Sequence, residues 1–502
     1  MMASSPSDAR LCLPQRVVAF DEARSSLRRL GLPEILPKLH AAGVSISRTV
    51  LGGSHSVAVY PPIDSLTPCD PRGIMESITC GGEASLYVHI AFCETRCTFC
   101  HYVVDHYTGK GTGSQAVDGK VAQYLDAVKR ELRFWGAKLA TSGAALSSIY
   151  IGGGTPLVLE TVALEDILST IRDHYTICAG AEVCIEGSPL TICAPGGDDK
   201  LRFLREHGVT RLSFGVQSFD DTVLKYAARG YRRDVAIRAA LIANAIFDNW
   251  NLDLIQGLYK GSPSETWNNL EVLEEIRPAH LTWYHGRFAD RPQGVWYRTA
   301  ARQASFEDES ATLLGRMMIW QGMAALGYQQ TDGNRFVRER RYTDPFKAIR
   351  TSVSSTLIGV GAASYSHVYT ESTNEERRSY VFRNQSQIAA YIESVLTGGI
   401  PIATGRLIDE REVLASSYAT GLRGGRFEDD HLRAIRERHG DLSSTYEALE
   451  TQLSELGILE HYDDRGDAGL RMTELGRLFE DEVLALFFSP GVKKALAMNA
   501  SA

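Results

Sequence analysis

Ser85–Cys100 reads SLYVHIAFCETRCTFC, and its two halves point to one architecture. The first half, SLYVHI, is rich in β-branched and aromatic residues, which predicts a strand. The second half, Cys93-Glu94-Thr95-Arg96-Cys97-Thr98-Phe99-Cys100, places three cysteines in a CxxxCxxC run directly behind it. Parallel α/β folds carry their chemistry on loops that leave the C-terminal ends of strands. Three thiolates on such a loop can ligate three irons of a cubane and leave the fourth iron without a protein ligand. Zinc is the competing reading, but it takes four ligands and favours paired CxxC spacing, so it would have to recruit His89 or His101.

Working outward, short β-rich runs alternate with amphipathic stretches: SLYVHI, SSIYIGG, EVCIEG, RLSFGV, NLDLIQG and HLTWYH. Alternation of this kind is the signature of successive βα units around a parallel sheet. Val121, Leu125, Val128, Leu132 and Trp135 fall in steps of four and three, which puts one apolar stripe on a helix, and Leu164, Ile167, Leu168 and Ile171 repeat the pattern. The fold class is therefore α/β, a partial (β/α)6 barrel. The expected organisation is an N-terminal wrapping extension over 1–84, the barrel over 85–330, a connecting segment over 331–374 that packs on it, and a mainly helical accessory domain over 375–502.

Composition narrows the class. A chain of 502 residues with 44% hydrophobic and 23% charged residues has the balance of a soluble multi-domain protein. No segment has the run of apolar residues that a membrane span needs. The N-terminus, MMASSPSDARLCLPQR, lacks a basic start followed by an apolar stretch, so a cytoplasmic protein is expected. The net charge of −8 is spread along the chain, which argues against a nucleic-acid partner. Nine cysteines without an export signal indicate metal or redox chemistry rather than a disulfide framework, and Cys184 reads as a buried strand residue.

Two further sets of residues carry chemistry. Gly152-Gly153-Gly154-Thr155-Pro156 follows the second strand, and its glycines permit a tight turn whose backbone groups can grip a small zwitterion. A plain βα turn is the alternative, and the upstream cysteines favour the binding role. Glu186, Gln217, Arg229 and Asp253 recur at successive strand ends. A carboxylate there can hold ribose hydroxyls, and an Arg beside Asp and Gln can hold a second carboxylate and amine.

With these motifs in hand, the chain resembles the oxygen-independent coproporphyrinogen III oxidase branch of radical S-adenosylmethionine (SAM) proteins. The resemblance is carried by Leu86–Cys100, IYIGGGTP, IEGSP, GVTRLSFGVQSFDD, ARGY, NLDLIQGL, a later GVGAASYS, and the C-terminal LSELGILEHY and LRMTELGRLFED. It implies a radical SAM barrel with a 4Fe-4S cluster on Cys93, Cys97 and Cys100. It further implies that Tyr87, Gly153, Glu186 and Ala363 touch the SAM bound at the cluster. Phe99, Gly154, Thr155, Gln217, Arg229 and Asp253 would line a second SAM position.

The chain also departs from that branch. Tyr102 stands where the oxidase has a fourth cysteine, Ala91 replaces a proline, and Gly257-Leu258-Tyr259 replaces Gly-Leu-Pro. His101-Tyr102 and the approach VYPPIDSLTPCDP resemble instead the oxidase-like class C methyltransferases and cyclopropanases. The expected function is accordingly methylene transfer from two SAM molecules to an sp2 carbon of a small natural-product intermediate, giving a methylated or cyclopropanated product. An electron donor such as flavodoxin or ferredoxin is the implied partner. His285, at the end of the sixth run, is the candidate catalytic residue, with a satisfied core or loop histidine as the alternative. The other functions open to the sequence are coproporphyrinogen III dehydrogenation and haem trafficking.

Overall fold

The computed structural model describes residues 13–46, 59–77, 82–100, 102–107, 115–259, 263–286, 308–342, 344–346, 350, 355–370, 378–423, 426–428, 432–434, 436–437, 440, 443–464 and 467–500. All six runs are strands: β1 Glu83–Ile90, β2 Ala145–Gly153, β3 Ile177–Gly187, β4 Arg211–Gln217, β5 Trp250–Gln256 and β6 His280–His285. They lie side by side in that order and every neighbouring pair is parallel. The sheet does not close into a barrel, because other strands continue it at both ends. Beyond β6 comes the antiparallel strand β7 Arg335–Val337, and beyond β1 comes the parallel strand β8 Thr356–Val360. Antiparallel strands β9 Tyr365–Thr370, β10 Arg378–Asn384 and β11 Ile402–Ile408 follow β8. The sheet thus runs on past residue 375, through β10 and β11, into the segment read from sequence as accessory.

Helices cover the outer face as the stripes require. The helix Gln115–Ser142 buries Val121, Val128, Leu132 and Trp135, with Leu125 packed against the same core, and the helix Thr161–His174 buries Leu164, Ile167, Leu168 and Ile171. The C-terminal region is mostly helical around a three-stranded antiparallel sheet of Arg426–Glu428, Leu459–Asp464 and Asp467–Met472. At the N-terminal side, Ile46 N donates to Glu309 Oε1 and Tyr60 Oη donates to Glu412 Oε2 at 2.6 Å, while Thr67–Pro68 pairs with β11. No helix among the described residues is long and apolar enough to cross a membrane.

One buried carboxylate joins the layers. Glu131, 3% exposed, accepts from Tyr391 Oη at 2.6 Å, Asn384 Nδ2 at 2.8 Å and Gly361 N at 2.9 Å. It thereby ties the helix Gln115–Ser142 to β10 and to the turn after β8. Burial pushes its pKa up to about 7, against the pull of those hydrogen bonds. The folded-state value lies above the ordinary 4.5, so this contribution to stability is fully present below pH 4.5 and is lost as the pH rises through 7. Glu131→Gln is therefore expected to be less stable than wild type at pH 5 but to lose less stability between pH 5 and 8, a difference read by thermal unfolding at the two pH values. Glu131→Ala strands three buried donors and is expected to cost roughly 3 kcal/mol.

Candidate functional site

The cysteine loop is built onto the sheet by its stem. Phe92–Cys93 pairs in parallel with Asp105–His106, and Tyr107 N donates to Cys93 O at 2.8 Å. A turn closes between the second and third cysteines, with Cys100 N donating to Cys97 O, and Thr98 N reaches Ala227 O. Cys93, Cys97 and Cys100 are all free thiols and partly buried. Cys93 Sγ lies 3.3 Å from Thr155 Oγ1, and Arg229 Nη1 donates to Cys97 Sγ at 2.8 Å. Burial pushes the Cys93 thiol up to about 12 and the Cys100 thiol up to about 11. Thiolates in such surroundings need a metal's positive charge, so the donor chemistry fits an iron cluster. Among the described residues no three His, Cys, Asp or Glu side chains converge on one metal ion. A cubane does not ask for that convergence, since each thiolate binds a different iron. His101 lies outside the described residues.

The glycine turn is locked to this loop. Gly154 N donates to Ile90 O at 2.8 Å and Thr155 N to Phe92 O at 2.7 Å, while Gly153 N donates to Glu186 Oε2 at 2.9 Å. These amides are engaged by the protein itself, so the turn's glycines serve close packing. A Cβ on Gly154 would lie 2.3 Å from Phe92 O, and one on Gly153, at φ +107, would lie 2.4 Å from the His89 ring.

Glu186 and its neighbours form a buried polar wall. Tyr150 Oη donates to Glu186 Oε1 at 2.6 Å, so both carboxylate oxygens accept hydrogen bonds. Burial nevertheless pushes Glu186 up to about 7. His89 is 4% exposed and its pKa is lowered to about 4 by burial, so the ring is neutral. Its Nε2 sits 3.0 Å from Val103 O, which can only accept, so Nε2 carries the proton. Nδ1 is then an acceptor, and Tyr87 Oη donates to it at 3.0 Å. Tyr87 thus turns oxygen lone pairs, not its proton, toward whatever binds beside it. Ala363, at φ +60, follows a turn in which Tyr124 Oη accepts from Ala362 N and donates to His89 O, so the turn is fixed to the end of β1.

The remaining residues divide. Arg229 Nε donates to Tyr231 Oη at 2.9 Å and Nη2 to Gly215 O, so this guanidinium lies against the cysteine loop. Gln217, 8% exposed and at φ +76, keeps its Oε1 buried without a partner. Asp253 is held by Asn251 Nδ2 at 2.8 Å and is the cross-strand partner of Gly215, whose carbonyl accepts from Arg229. Phe99 packs in a separate apolar cluster with Val223, Ile255 and Leu258. His285 Nδ1 meets Gln256 Oε1 at 2.9 Å. The sequence reading passed over Tyr150 and gave His89 no role beyond a spare zinc ligand. Their signal was strand alternation, which puts Tyr150 on the face of Gly152 and His89 on the face of Tyr87.

Residues 87–276 match the Radical SAM superfamily. The coproporphyrinogen III oxidase (HemN) of Escherichia coli superposes over 86% of this chain and 96% of its own, with a TM-score of 0.69 at 22% identity. The chain has the radical SAM fold. Among curated relatives, the heme chaperone HemW of Synechocystis is 28% identical over 67% of this chain and 77% of its own length. HemW of Escherichia coli is 30% identical over 51% of this chain and 62% of its own, and the oxygen-independent coproporphyrinogen III oxidase of Salmonella typhimurium is 25% identical over 80% and 85%.

These relatives correct the expectation of methylene transfer: the curated proteins named above to which the chain is similar are heme chaperones and an oxygen-independent coproporphyrinogen III oxidase. The features that had suggested otherwise have a structural reading. The VYPPIDSLTPCDP approach is an edge clamp: Tyr60 holds Glu412, Ser489 N donates to Tyr60 Oη, and Thr67–Pro68 pairs with β11. Gly153→Ala is expected to lower thermal stability, because the new methyl group meets His89. His89→Asn keeps an acceptor for Tyr87 and is expected to be more stable than His89→Leu, read as the higher thermal midpoint of the two variants.

Proposed function

We propose that this chain is a radical SAM protein of tetrapyrrole handling, of the heme chaperone kind, that binds haem and cleaves SAM. The observation that carries the reading is the pairing of the three-thiol loop and glycine turn with the heme chaperone relatives at 28% and 30% identity. Cys93, Cys97 and Cys100 would hold the 4Fe-4S cluster. When bound, the cluster supplies the electron that splits SAM into methionine and a 5'-deoxyadenosyl radical. The chain's own groups do the rest: Tyr87 offers lone pairs to an ammonium group, Glu186 offers a carboxylate face, and the turns carrying Gly153 and Ala363 close the pocket. Phe99, Gly154, Thr155, Gln217, Arg229 and Asp253 are the residues for a second SAM, and the unpartnered Gln217 Oε1 is the atom that most needs such a ligand. His285, at the C-terminal end of β6, would be a contact for bound substrate. A reducing compartment such as the cytoplasm, with flavodoxin or ferredoxin as electron donor, suits the free thiols seen among the described residues.

Coproporphyrinogen oxidation is the second reading, favoured by the fold match over nearly the whole chain. Tyr102 weighs against it, since the oxidase branch carries a cysteine there. Anaerobic reconstitution is expected to load about four irons and four sulfides per chain, and Cys97→Ala to lose the charge-transfer absorption and SAM cleavage together. Haem is expected to give a saturable Soret band, and coproporphyrinogen III to release no carbon dioxide. Carbon dioxide release without a Soret band would instead establish the oxidase reading.

A further inference from the structure

Three guanidinium groups elsewhere in the described interior come with partners. Arg211 pairs with Glu182 and Asp344, Arg316 reaches Leu478 O and Glu482, and Arg229 is held by Cys97 and Gly215 O. Arg350 departs from that pattern. Its Nε is buried without a partner, and among the described residues no hydrogen bond or ion pair engages its guanidinium. Its place is fixed by aromatic packing. Phe346 stacks on Tyr150 at 4.6 Å between centroids and on Tyr87 at 5.9 Å, and the Arg350 Cζ lies 5.9 Å from the Phe346 centroid. This puts the cation over the wall formed by Tyr87, Tyr150 and Glu186. Glu186 acts on it only through charge, its two oxygens accepting from Tyr150 Oη and Gly153 N. Arg350 is also close enough to Tyr102 and Tyr284 for its charge to act on both.

Those two tyrosines supply the second observation. Tyr102 is 51% exposed and Tyr284 39% exposed, which places both among the large apolar side chains that the fold leaves uncovered. A cation with unused donors whose charge reaches two exposed tyrosines suits a flat molecule with a peripheral carboxylate. We propose that Arg350 is the carboxylate hook of the site, and that it takes a propionate of a tetrapyrrole whose ring lies against Tyr102 and Tyr284. The inference rests on the tetrapyrrole reading above. A carboxylate also occurs on SAM, so the test separates the two sources.

The reconstituted full chain is titrated anaerobically with haem, with haem dimethyl ester, whose propionates are blocked, and with SAM. Wild type is expected to bind haem about tenfold more tightly than the diester, the worth of one charge-assisted pair. Arg350→Gln should bring haem down to the level of the diester and leave the diester and SAM unchanged, while Arg350→Lys should recover part of the preference. Equal binding of haem and diester by wild type overturns the hook, as does a haem preference that survives Arg350→Gln. Loss of SAM affinity in Arg350→Gln with the haem preference intact assigns the carboxylate to SAM and overturns the propionate. Failure of wild type to bind either macrocycle removes the tetrapyrrole reading. The hook then stands only as a SAM contact, and only if Arg350→Gln weakens SAM binding. Iron content and thermal midpoint of each variant establish that the fold is intact.

Discussion

Two backbone hydrogen bonds, Gly154 N to Ile90 O and Thr155 N to Phe92 O, hold the rest of the site in place. They extend the β1–β2 ladder past the last regular residues and fasten the glycine turn to the stem of the cysteine loop. The approach is close enough that a side chain on Gly153 or Gly154 would collide with His89 or with the loop's own carbonyls. Once the two segments are fused, Thr155 reaches Cys93, Gly153 reaches Glu186, and the orientation of three strands at the site is settled together. The glycines are thus needed for protein to meet protein, and whatever ligand-binding role the turn has is built on that contact.

The interior behind the site is polar where a filled barrel is usually packed with branched apolar residues. Ser85 meets Ser148, and Asn251 bonds Ser213, Asp253 and Thr282. At the N-terminal ends of the strands Arg211 lies between Glu182 and Asp344, and Asp344 also pairs with Arg335 at 2.6 Å. Buried groups of this kind are tolerable only when their partners are supplied, so the network demands that β3, β4, β5, β6 and β7 keep register. Asp344 comes from the connecting segment, and it closes the base of an open sheet with charge rather than with another strand. The polar load is concentrated where the sheet needs closure and around the site, leaving the helix-facing side of the sheet to apolar packing.

Much of this was legible in the sequence because it repeats. Six strands and their covering helices announce themselves by period, and three cysteines in eight residues need no context to be noticed. Cys184, read as a buried strand residue, is fully buried on β3. What stayed hidden depends on residues distant in the chain. Glu131 is one acid on a long helix until Gly361, Asn384 and Tyr391 arrive from more than two hundred residues away. The proton on His89 Nε2 is set by the carbonyl of Val103, which has no signature in a sequence. Arg350 belongs to an Arg-rich stretch in which Arg335, Arg338 and Arg341 find acids, and packing against Phe346 sets it apart.

The misassigned chemistry has the same origin. The cysteine loop and the glycine turn are restricted by hydrogen bonding and close packing where they meet the ends of β1 and β2. The rim is under no such restriction. Tyr102 follows the last cysteine, Tyr284 sits near the end of β6, and Arg350 comes from the connecting segment. None of these positions takes part in the ladder that joins β1 to β2. A motif of two or three residues there, such as His101-Tyr102, therefore discriminates poorly between members of the fold when it is read without its spatial neighbours. Its meaning comes from the side chains that the fold gathers around it, and in this chain Tyr102 is gathered with an uncovered tyrosine and a cation that has no partner among the described residues.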